Sequence, residues 1–307
     1  MADMVVDDAA FDHLATEERL PAAHHLDELP LQEQLALFIA ENARAVEAVG
    51  AVEASIATVV VLVADRLGQG GRLLYVGAGT SGRLAMLDAA ESVPTFGLAE
   101  GRIIAVLAGG EEAFLRAIEG SEDDAVAGRA DLEAEAPGPS DVVIGIAASG
   151  RTPYVLAALE LARERGAATV ALVNTSGGPM AALADHTIEV LTGGEVVAGS
   201  TRLKAGTAQK VVLNAISTLA LVRLGHTFGD LMVDVQVTND KLRRRAERIV
   251  QEATGVPRSV AATALADAGG SAKTAVVMLL LEVDAVKANL RLKQTAGHVR
   301  PAVRGGT

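Results

Sequence analysis

A glycine-rich stretch, Gly77-Ala-Gly-Thr-Ser-Gly-Arg83, constrains this chain more than any other feature. It follows the apolar run Arg72-Leu-Leu-Tyr-Val76 and precedes Leu84-Ala-Met-Leu-Asp-Ala-Ala-Glu91, an order that predicts a strand, a tight turn and a helix. Glycines let several backbone N–H groups face one anion at the positive end of that helix, where Thr80 and Ser81 add hydroxyl donors and Ser81 is expected at the N-cap. A phosphate is the natural ligand, and a turn whose glycines serve packing alone is the alternative. The stretch matches neither the G-x-G-x-x-G dinucleotide fingerprint nor a P-loop.

A second stretch of the same chemical kind follows a later apolar run. Asp141-Val-Val-Ile-Gly-Ile-Ala147 leads into Ala148-Ser-Gly-Arg-Thr-Pro-Tyr154. Three further apolar runs predict strands, at 102–107, 168–173 and 186–191. Strands that alternate with helices are typical of a parallel sheet covered on both faces, and ligands bind beyond the carboxyl ends of its strands. The two hydroxyl-bearing loops are therefore expected to face one anionic ligand.

The composition excludes several classes of function. The chain has 307 residues, and its 27 Lys and Arg against 39 Asp and Glu give a net charge of −12, the wrong sign for holding nucleic acid or an anionic membrane. Cysteine is absent, which excludes disulfides and thiolate chemistry. The six histidines are scattered apart from His24-His25, so we expect neither a metal site nor a cofactor. The N-terminus lacks a secretory pattern and the apolar runs fall short of about 18 residues, which predicts a cytoplasmic protein without a membrane span.

The spacing of apolar residues and turns divides the chain into three parts. Residues 1–50 are expected to form an N-terminal arm and helix, in which Leu35, Ile39 and Val46 recur at helical spacing. Residues 51–225 form the α/β domain that binds the anion, and residues 226–307 form a small helical domain without predicted strands. Aromatic residues make up only 2% of the chain, so the core must be aliphatic and alanine-rich.

A third loop with hydroxyl side chains ends in Gly199-Ser-Thr201, just before an apolar helix. Ser200 and Thr201 are expected to cap this helix, which would bring a third hydroxyl-bearing helix start to the site. Lys204 lies one turn further on. Two interpretations of Lys204 stay open, a ligand of the anion and a solvated surface lysine.

A phosphate site binds but does not by itself catalyse a reaction, which would need titratable groups near the rest of the ligand. Two glutamates are candidates. Glu91 closes the predicted helix ahead of Pro94, and Glu122 lies in an acidic turn. Two carboxylates in one pocket can act as an acid and a base. The alternatives without a catalytic role are a surface residue at a helix end for Glu91 and a charge at a helix N-terminus for Glu122. An unbroken helix from Ser81 would place Glu91 on the order of 15 Å from the first loop. Either the helix bends back before Pro94, or Glu91 serves the pocket of a second subunit.

Seven blocks of sequence, in order between about residues 16 and 295, carry a family resemblance. They are Gly77-Ala-Gly-Thr-Ser-Gly-Arg-Leu84, Asp88-Ala-Ala-Glu91, Pro94-Thr-Phe-Gly97, Glu119-Gly-Ser-Glu-Asp-Asp124, Ile146-Ala-Ala-Ser-Gly-Arg-Thr-Pro-Tyr154, Gly199-Ser-Thr-Arg-Leu-Lys-Ala-Gly-Thr-Ala-Gln-Lys210 and Asn214. Together they closely resemble the N-acetylmuramic acid 6-phosphate etherase family.

The resemblance implies a sugar isomerase (SIS) fold, a three-layer α/β/α sandwich with a parallel sheet, in a homodimer with its active site near the subunit interface and a small helical C-terminal domain. It implies cleavage of a D-lactyl ether by water, giving N-acetylglucosamine 6-phosphate and D-lactate, in the recycling of cell-wall sugars. The family's proton donor falls on Glu91 and its second acid/base residue on Glu122. From the three loops and this resemblance, the residues expected to bind the sugar phosphate are Gly79, Thr80, Ser81, Ser149, Gly150, Thr152, Ser200 and Lys204.

This sequence departs from the family pattern at three places. Ala90 replaces a serine beside Glu91, Ser92-Val93 replaces Cys-Pro, and Leu20 stands where an asparagine is usual. Two other functions fit the same fold: a non-catalytic regulator that binds a sugar phosphate, similar to glucokinase regulatory protein, and an aldose-ketose isomerase. The regulators carry a second sugar isomerase domain, for which this chain is short, and the isomerases need no acid aimed at C3.

Overall fold

The computed structural model describes residues 15–305, which form two compact units. The first unit combines the described residues up to Ala89 with Ile103–Ile216, and the second combines Ala90–Arg102 with the residues from Ser217 onwards. The sequence predicts that each domain is one continuous segment of the chain. The second unit instead includes Ala90–Arg102, which is separated in sequence from the rest of that unit.

Five parallel strands form the centre of the first unit. They are β1 Leu73–Gly77, β2 Ile103–Leu107, β3 Val142–Ala147, β4 Ala168–Val173 and β5 His186–Glu189. Their order in the sheet is β2-β1-β3-β4-β5, and every neighbouring pair is parallel. Every residue of β1 and β3 is buried, as expected for strands covered on both faces. The predicted parallel sheet is confirmed.

Eight helices begin in the first unit. They are α1 Leu31–Gly50, α2 Glu53–Gly68, α3 Gly79–Phe96, α4 Glu112–Leu115, α5 Ala125–Ala134, α6 Pro153–Glu164, α7 Pro179–Leu183 and α8 Lys204–Arg223. Short 3-10 helices lie at Pro21–Ala23, Leu26–Glu28 and Ser121–Asp123. The last residues of α3 and α8 belong to the second unit.

Helices cover both faces of the sheet. On one face, Val143 of β3 lies in a buried cluster with Leu132 of α5 and Leu159 of α6. On the opposite face, α2 contacts β3 and β5, and the Tyr75 hydroxyl donates a hydrogen bond of 2.9 Å to Asp88 of α3. Burial and the Asp88 carboxylate raise the pKa of Tyr75, so its phenol stays a protonated donor. The result is the three-layer α/β/α sandwich that the resemblance implies.

One face of α1 is apolar but not covered. Glu41, Ala45 and Val49 are buried, whereas five apolar side chains on other positions are exposed. These exposed residues, which we call the α1 stripe, are Leu31, Leu35, Phe38, Ile39 and Val46, with exposed fractions between 40% and 72%. The helical spacing of Leu35, Ile39 and Val46 thus marks a face that a single copy of the chain leaves open.

The second unit is a helical bundle with one short hairpin. Its elements are β6 Thr227–Phe228, β7 Leu231–Met232, α9 Asp240–Thr254, α10 Arg258–Asp267, α11 Ala272–Leu281, α12 Ala285–Gln294 and α13 Val299–Arg304. Residues 90–102 belong to this unit because the Phe96 ring lies edge-on to His226, with centroids 6.5 Å apart, and Gly97 lies against the Asp234 carbonyl. The predicted helical C-terminal region is confirmed, and it ends with α13.

Among the described residues, α8 is long and apolar enough to cross a membrane, by length and composition alone. The number of such spans rises to at most three if the bent helix pairs α1–α2 and α10–α11 are each counted as one span. In α8, 56% of the most apolar window is buried within the protein. Two polar side chains of α8, Lys204 and Gln209, are 3% and 1% exposed, and both are hydrogen-bonded within the first unit. These contacts are those of a core helix.

An ion pair ties the beginnings of β1 and β3 together. The backbone N–H and the guanidinium of Arg72 donate to the Asp141 carboxylate at 2.9 and 2.7 Å, and the Gly138 N–H donates at 3.0 Å. Burial by itself would raise the pKa of Asp141, but the hydrogen bonds from Arg72 and Gly138 hold it below the ordinary 3.8. This carboxylate therefore stabilises the fold in its ionised form.

We expect Asp141→Asn to lower the free energy of unfolding by about 2 kcal/mol at neutral pH, the scale of charge-assisted hydrogen bonds. A lowered folded pKa stabilises the protein above the unfolded value and loses that effect as the pH falls through the folded value. Denaturant titrations should therefore show wild type and variant converging as the pH falls below 3.8. Asp65→Asn, which changes an exposed carboxyl group on α2, is the control. A difference that does not shrink in acid would contradict the assignment.

Candidate functional site

The ends of β1 and β3 lie level with each other at the centre of the sheet. Gly77 is in register with Ile146, so the loops that follow the two strands leave the sheet side by side. The chain continues from β1 to β2 on one side, while β3 pairs on the other. A change of direction of this kind is the point at which open parallel sheets bind ligands.

A cavity of about 440 Å³ opens at this point within the first unit. The predicted site residues that line it are Gly79, Thr80, Ser81, Glu122, Ser149, Thr152 and Ser200. The sequence predicts that three hydroxyl-bearing loops converge, from their positions after strands and before helices. In the structure all three loops line this one cavity. The predicted residues that do not line this cavity are Glu91, Gly150 and Lys204.

The glycines of the first loop have two different tasks. A β-carbon on Gly82 would lie 2.3 Å from the Leu107 side chain and 2.6 Å from the Gly77 carbonyl oxygen, so Gly77 and Gly82 allow close packing of β1, α3 and β2. Gly79 has a φ of +53° and open space around its α-carbon. The packing interpretation thus applies to Gly77 and Gly82, whereas Gly79 lines the cavity.

Ser81 is not the N-cap that the sequence predicts. Because α3 begins at Gly79, Ser81 lies in its first turn, and its hydroxyl donates 2.9 Å to the Gln209 side-chain oxygen on α8. Gln209 in turn donates 2.9 Å to Asn174, which donates 3.1 Å to the Val190 carbonyl. This buried polar chain connects the first loop to α8 and to the end of β4, and it holds the Ser81 side chain in place.

The second loop presents Ser149 and Thr152 to the cavity through a different arrangement. Its backbone is held by the Thr175 hydroxyl, which donates 2.9 Å to the Ser149 carbonyl. Gly150 has a φ of +66° and its carbonyl accepts from Met180, so this glycine shapes the loop without lining the cavity. Thr152 stands at the N-cap of α6 but makes no capping bond with its side chain, which leaves its hydroxyl free to meet a ligand.

The third loop also differs from the prediction at its helix start. The N–H groups of Lys204 and Ala205 donate to the Glu195 carboxylate, both at 2.9 Å. The α8 start is therefore capped by a buried carboxylate, and Ser200 and Thr201 are not the caps that the sequence predicts. Both hydroxyl residues line the cavity instead.

Three polar lining residues, Thr16, Glu17 and Arg202, were not singled out from the sequence, and Thr201 was expected only as a helix cap. The N-terminal segment reaches the site because it lies on the third loop: a β-carbon on Gly194 would be 2.3 Å from the Glu18 carbonyl oxygen. The signal was present in the resemblance blocks, which include Arg202 and begin near residue 16. Across residues 15–305, no three His, Asp or Glu side chains come together in a group that could hold a metal ion.

Known proteins resemble both the parts and the whole of this chain. Residues 55–163 match the glucokinase regulatory protein N-terminal SIS domain, and residues 132–219 match the SIS domain. An N-acetylmuramic acid 6-phosphate etherase of Rubrobacter xylanophilus is 51% identical over 97% of this chain and 99% of its own length. A protein of the same name from Geobacillus thermodenitrificans is 50% identical over 95% of this chain and 99% of its own length. This chain belongs to the N-acetylmuramic acid 6-phosphate etherase family.

Solved structures of sugar-phosphate isomerases are similar to part of this etherase family member. A provisionally assigned phosphosugar isomerase from Bacteroides fragilis is 18% identical, with a TM-score of 0.50 over 63% of this chain and 91% of that one. A phosphoheptose isomerase from Francisella tularensis is also 18% identical, with a TM-score of 0.49 over 62% and 98%. The SIS fold expected from the resemblance is confirmed, and the near-full-length relatives favour an etherase over a regulator.

The two glutamates of the etherase resemblance have different surroundings. Glu122 is exposed in the 3-10 turn Ser121–Asp123 and lines the cavity. The helix-capping charge is Asp124, which accepts 2.8 Å from the Ala127 N–H, so Glu122 is not needed for that task. Glu91 is exposed and belongs to the second unit, and α3 continues as a helix through it to Phe96, with Pro94 inside the helix.

Lys204 is neither a solvated surface residue nor part of the cavity wall. Its ammonium group lies 2.5 Å from Glu41 of α1, and both side chains are less than 5% exposed. Glu41 also accepts 2.5 Å from Arg44. The structure therefore assigns the Lys204 charge to a buried ion pair that joins α8 to α1.

We expect Lys204→Met to lower the free energy of unfolding by about 3 kcal/mol, because it leaves the buried Glu41 charge without its buried partner. Glu41→Met combined with Lys204→Met should recover most of this loss, since no unpaired charge remains buried. Denaturant titration of the two single variants and the double variant measures the coupling between the residues. Single effects that simply add in the double variant would show that the ion pair is not the cause.

Proposed function

We propose that this protein cleaves the D-lactyl ether of N-acetylmuramic acid 6-phosphate with water, giving N-acetylglucosamine 6-phosphate and D-lactate. It is thus a carbon-oxygen lyase acting on a sugar phosphate, in the recycling of cell-wall amino sugars. The observation that carries the proposal is the near-full-length similarity to named etherases, in a chain whose family glutamate Glu122 lines a cavity of hydroxyl residues.

The phosphate is bound by neutral donors in this proposal. Thr80, Ser149 and Thr152 supply hydroxyl groups, and Ser81, whose hydroxyl donates to Gln209, contributes its backbone N–H. The starts of α3 and α6 supply further backbone N–H groups and the positive ends of two helix dipoles. Ser200 adds a hydroxyl from the third loop. A dianion bound in this way leaves the sugar free to extend towards Glu122.

The reaction needs one base and one acid on neighbouring carbons. Opening of the sugar ring gives an aldehyde at C1, which makes the C2 proton acidic. Glu122 removes that proton, the C3–O bond breaks, and Glu91 protonates the departing lactate oxygen. Water then adds at C3 of the unsaturated aldehyde with the roles of the two groups reversed, and the ring closes. The two carboxyl groups return to their starting states, so no redox step is required.

We further propose that the protein works as a homodimer in the cytoplasm, with Glu91 completing the pocket of the partner subunit. The unbroken course of α3 through Glu91 supports the second of the two alternatives for this residue. The α1 stripe supports a dimer because five large apolar side chains on one helix face are exposed in a single copy. The cytoplasm suits a phosphorylated sugar and a chain that has no cysteine.

We expect Glu122→Gln and Glu91→Gln each to slow lactate release by about a hundredfold to ten-thousandfold, the range for general acid–base catalysis. The variants should differ in deuterated water. Glu91→Gln should still exchange the C2 proton of the substrate, because its base is intact, and Glu122→Gln should not. Glu160→Gln, an exposed change on α6, is the control. Lactate release at the wild-type rate in either variant would contradict the assignment.

We expect a mixture of Glu91→Gln and Glu122→Gln subunits to recover activity. If Glu91 acts in the partner's pocket, one of the two pockets in each mixed dimer holds both wild-type glutamates. Random mixing after denaturation and refolding should then restore roughly a quarter of the wild-type lactate release, by the symmetry of a two-site dimer. Recovery should fail when the α1 stripe carries Leu35→Asp. No recovery in a mixture that forms dimers would mean that both glutamates act within one subunit.

A further inference from the structure

The inference concerns how the site recognises the lactyl group, and it rests on the proposed function. N-acetylmuramic acid 6-phosphate carries two anionic groups, the phosphate and the carboxylate of the D-lactyl ether. The hydroxyl loops account for the phosphate alone. We propose that Arg202 and Thr16, on the wall formed by the third loop and the N-terminal segment, bind the lactyl carboxylate.

Among the described residues that line the cavity, Arg202 is the one with a basic side chain. With Glu17 and Glu122 on the same lining, the charges of these side chains sum to −1, two negative against one positive. A substrate that carries about three negative charges would be repelled unless the guanidinium meets one of its anionic groups. A planar guanidinium matches a carboxylate with two parallel hydrogen bonds, and Arg202 is exposed, so it can turn towards a ligand.

Thr16 supplies the second and independent observation. This residue lines the cavity, is 1% exposed, and its hydroxyl oxygen has no hydrogen-bond partner among the described residues. A buried hydroxyl without a partner is unfavourable, and such groups are rare in folded proteins unless a ligand or water completes them. A carboxylate oxygen of the substrate would accept the hydrogen bond that the protein leaves unmade.

The two residues lie on one wall because their segments touch. The Glu18 carbonyl passes so close to Gly194 that a β-carbon there would lie only 2.3 Å from it, and a β-carbon on Gly199 would lie 2.9 Å from the Glu17 carboxylate. The N-terminal segment thus runs along the third loop, from which Arg202 also projects. The negative charge of Glu17 on this wall would repel the lactyl carboxylate. The Arg202 guanidinium is therefore needed to pair with that carboxylate.

The first test compares two ligands that differ by the lactyl group. Arg202→Ala should raise the KM for N-acetylmuramic acid 6-phosphate by about a hundredfold, the scale of a lost charge-assisted pair. Its affinity for N-acetylglucosamine 6-phosphate, which lacks the carboxylate, should stay within about twofold, and Arg202→Lys should recover part of the loss. Arg129→Ala, which removes a surface partner of Glu164, is the matched control. Equal weakening of both ligands would place Arg202 on the phosphate, and no weakening would remove it from the site; either result overturns the proposal.

The second test separates recognition from folding. Thr16→Val keeps the shape of the side chain and removes the hydroxyl. It should weaken the binding of N-acetylmuramic acid 6-phosphate about tenfold, the scale of one hydrogen bond. The melting temperature should stay unchanged or rise, because the hydroxyl has no partner among the described residues of the free protein. Thr16→Ser should restore binding. A lower melting temperature with equal weakening of both ligands would make Thr16 structural and overturn its part.

Calorimetric binding of the two ligands distinguishes failure of this inference from failure of the proposed function. Wild-type protein that releases no lactate, yet prefers the lactyl ligand through Arg202, would overturn the function and keep the subsite. Wild-type protein that releases lactate, with a ligand preference that Arg202→Ala does not change, would keep the function and overturn the subsite.

Discussion

The parallel pairing of β1 with β3 is the constraint on which the rest of the first unit depends. It places Gly77 beside Ile146, so two loops rich in glycine and hydroxyl residues leave the sheet at the same level. At the opposite end of the same strands, Asp141 accepts from Arg72 and holds the register. Because the neighbour of β1 on its other side is β2, the chain turns in two directions here, and the divergence opens the cavity.

Buried and exposed charges in this unit have separate roles. Glu195, Glu41 and Lys204 are almost fully buried and are satisfied by one another or by the start of α8. They hold α8 against α1 and the third loop, and the Ser81–Gln209–Asn174 chain holds α8 against the first loop. The charges that remain free to meet a substrate, Glu122 and Arg202, are exposed on the cavity wall. In the proposed function, neutral hydroxyl donors bind the phosphate, and these charged side chains meet the groups of the substrate that react or identify it.

The sequence identified residues that line the cavity where their position depends on local pattern, and it missed residues whose position depends on contacts distant in sequence. Thr80, Ser149 and Thr152 follow strands and precede helices, so their position at the cavity follows from chain order. The capping assignment of Ser81 was wrong because α3 begins two residues earlier, at Gly79. That of Ser200 was wrong because the Glu195 carboxylate accepts from the N–H groups at the start of α8. The roles of Glu91 and Glu122 stay predictions of the family resemblance.

The sequence by itself determined the parallel sheet, the hydroxyl loops and the helical second unit, since these follow from hydrophobic periodicity and turn chemistry within a few residues. Only the tertiary structure decided that Lys204 pairs with Glu41, 163 positions away, and that Thr16 lies on the wall beside the third loop. The reason is physical: a buried charge must find a partner wherever the fold provides one, and a cavity wall is assembled from segments whose proximity no local pattern contains.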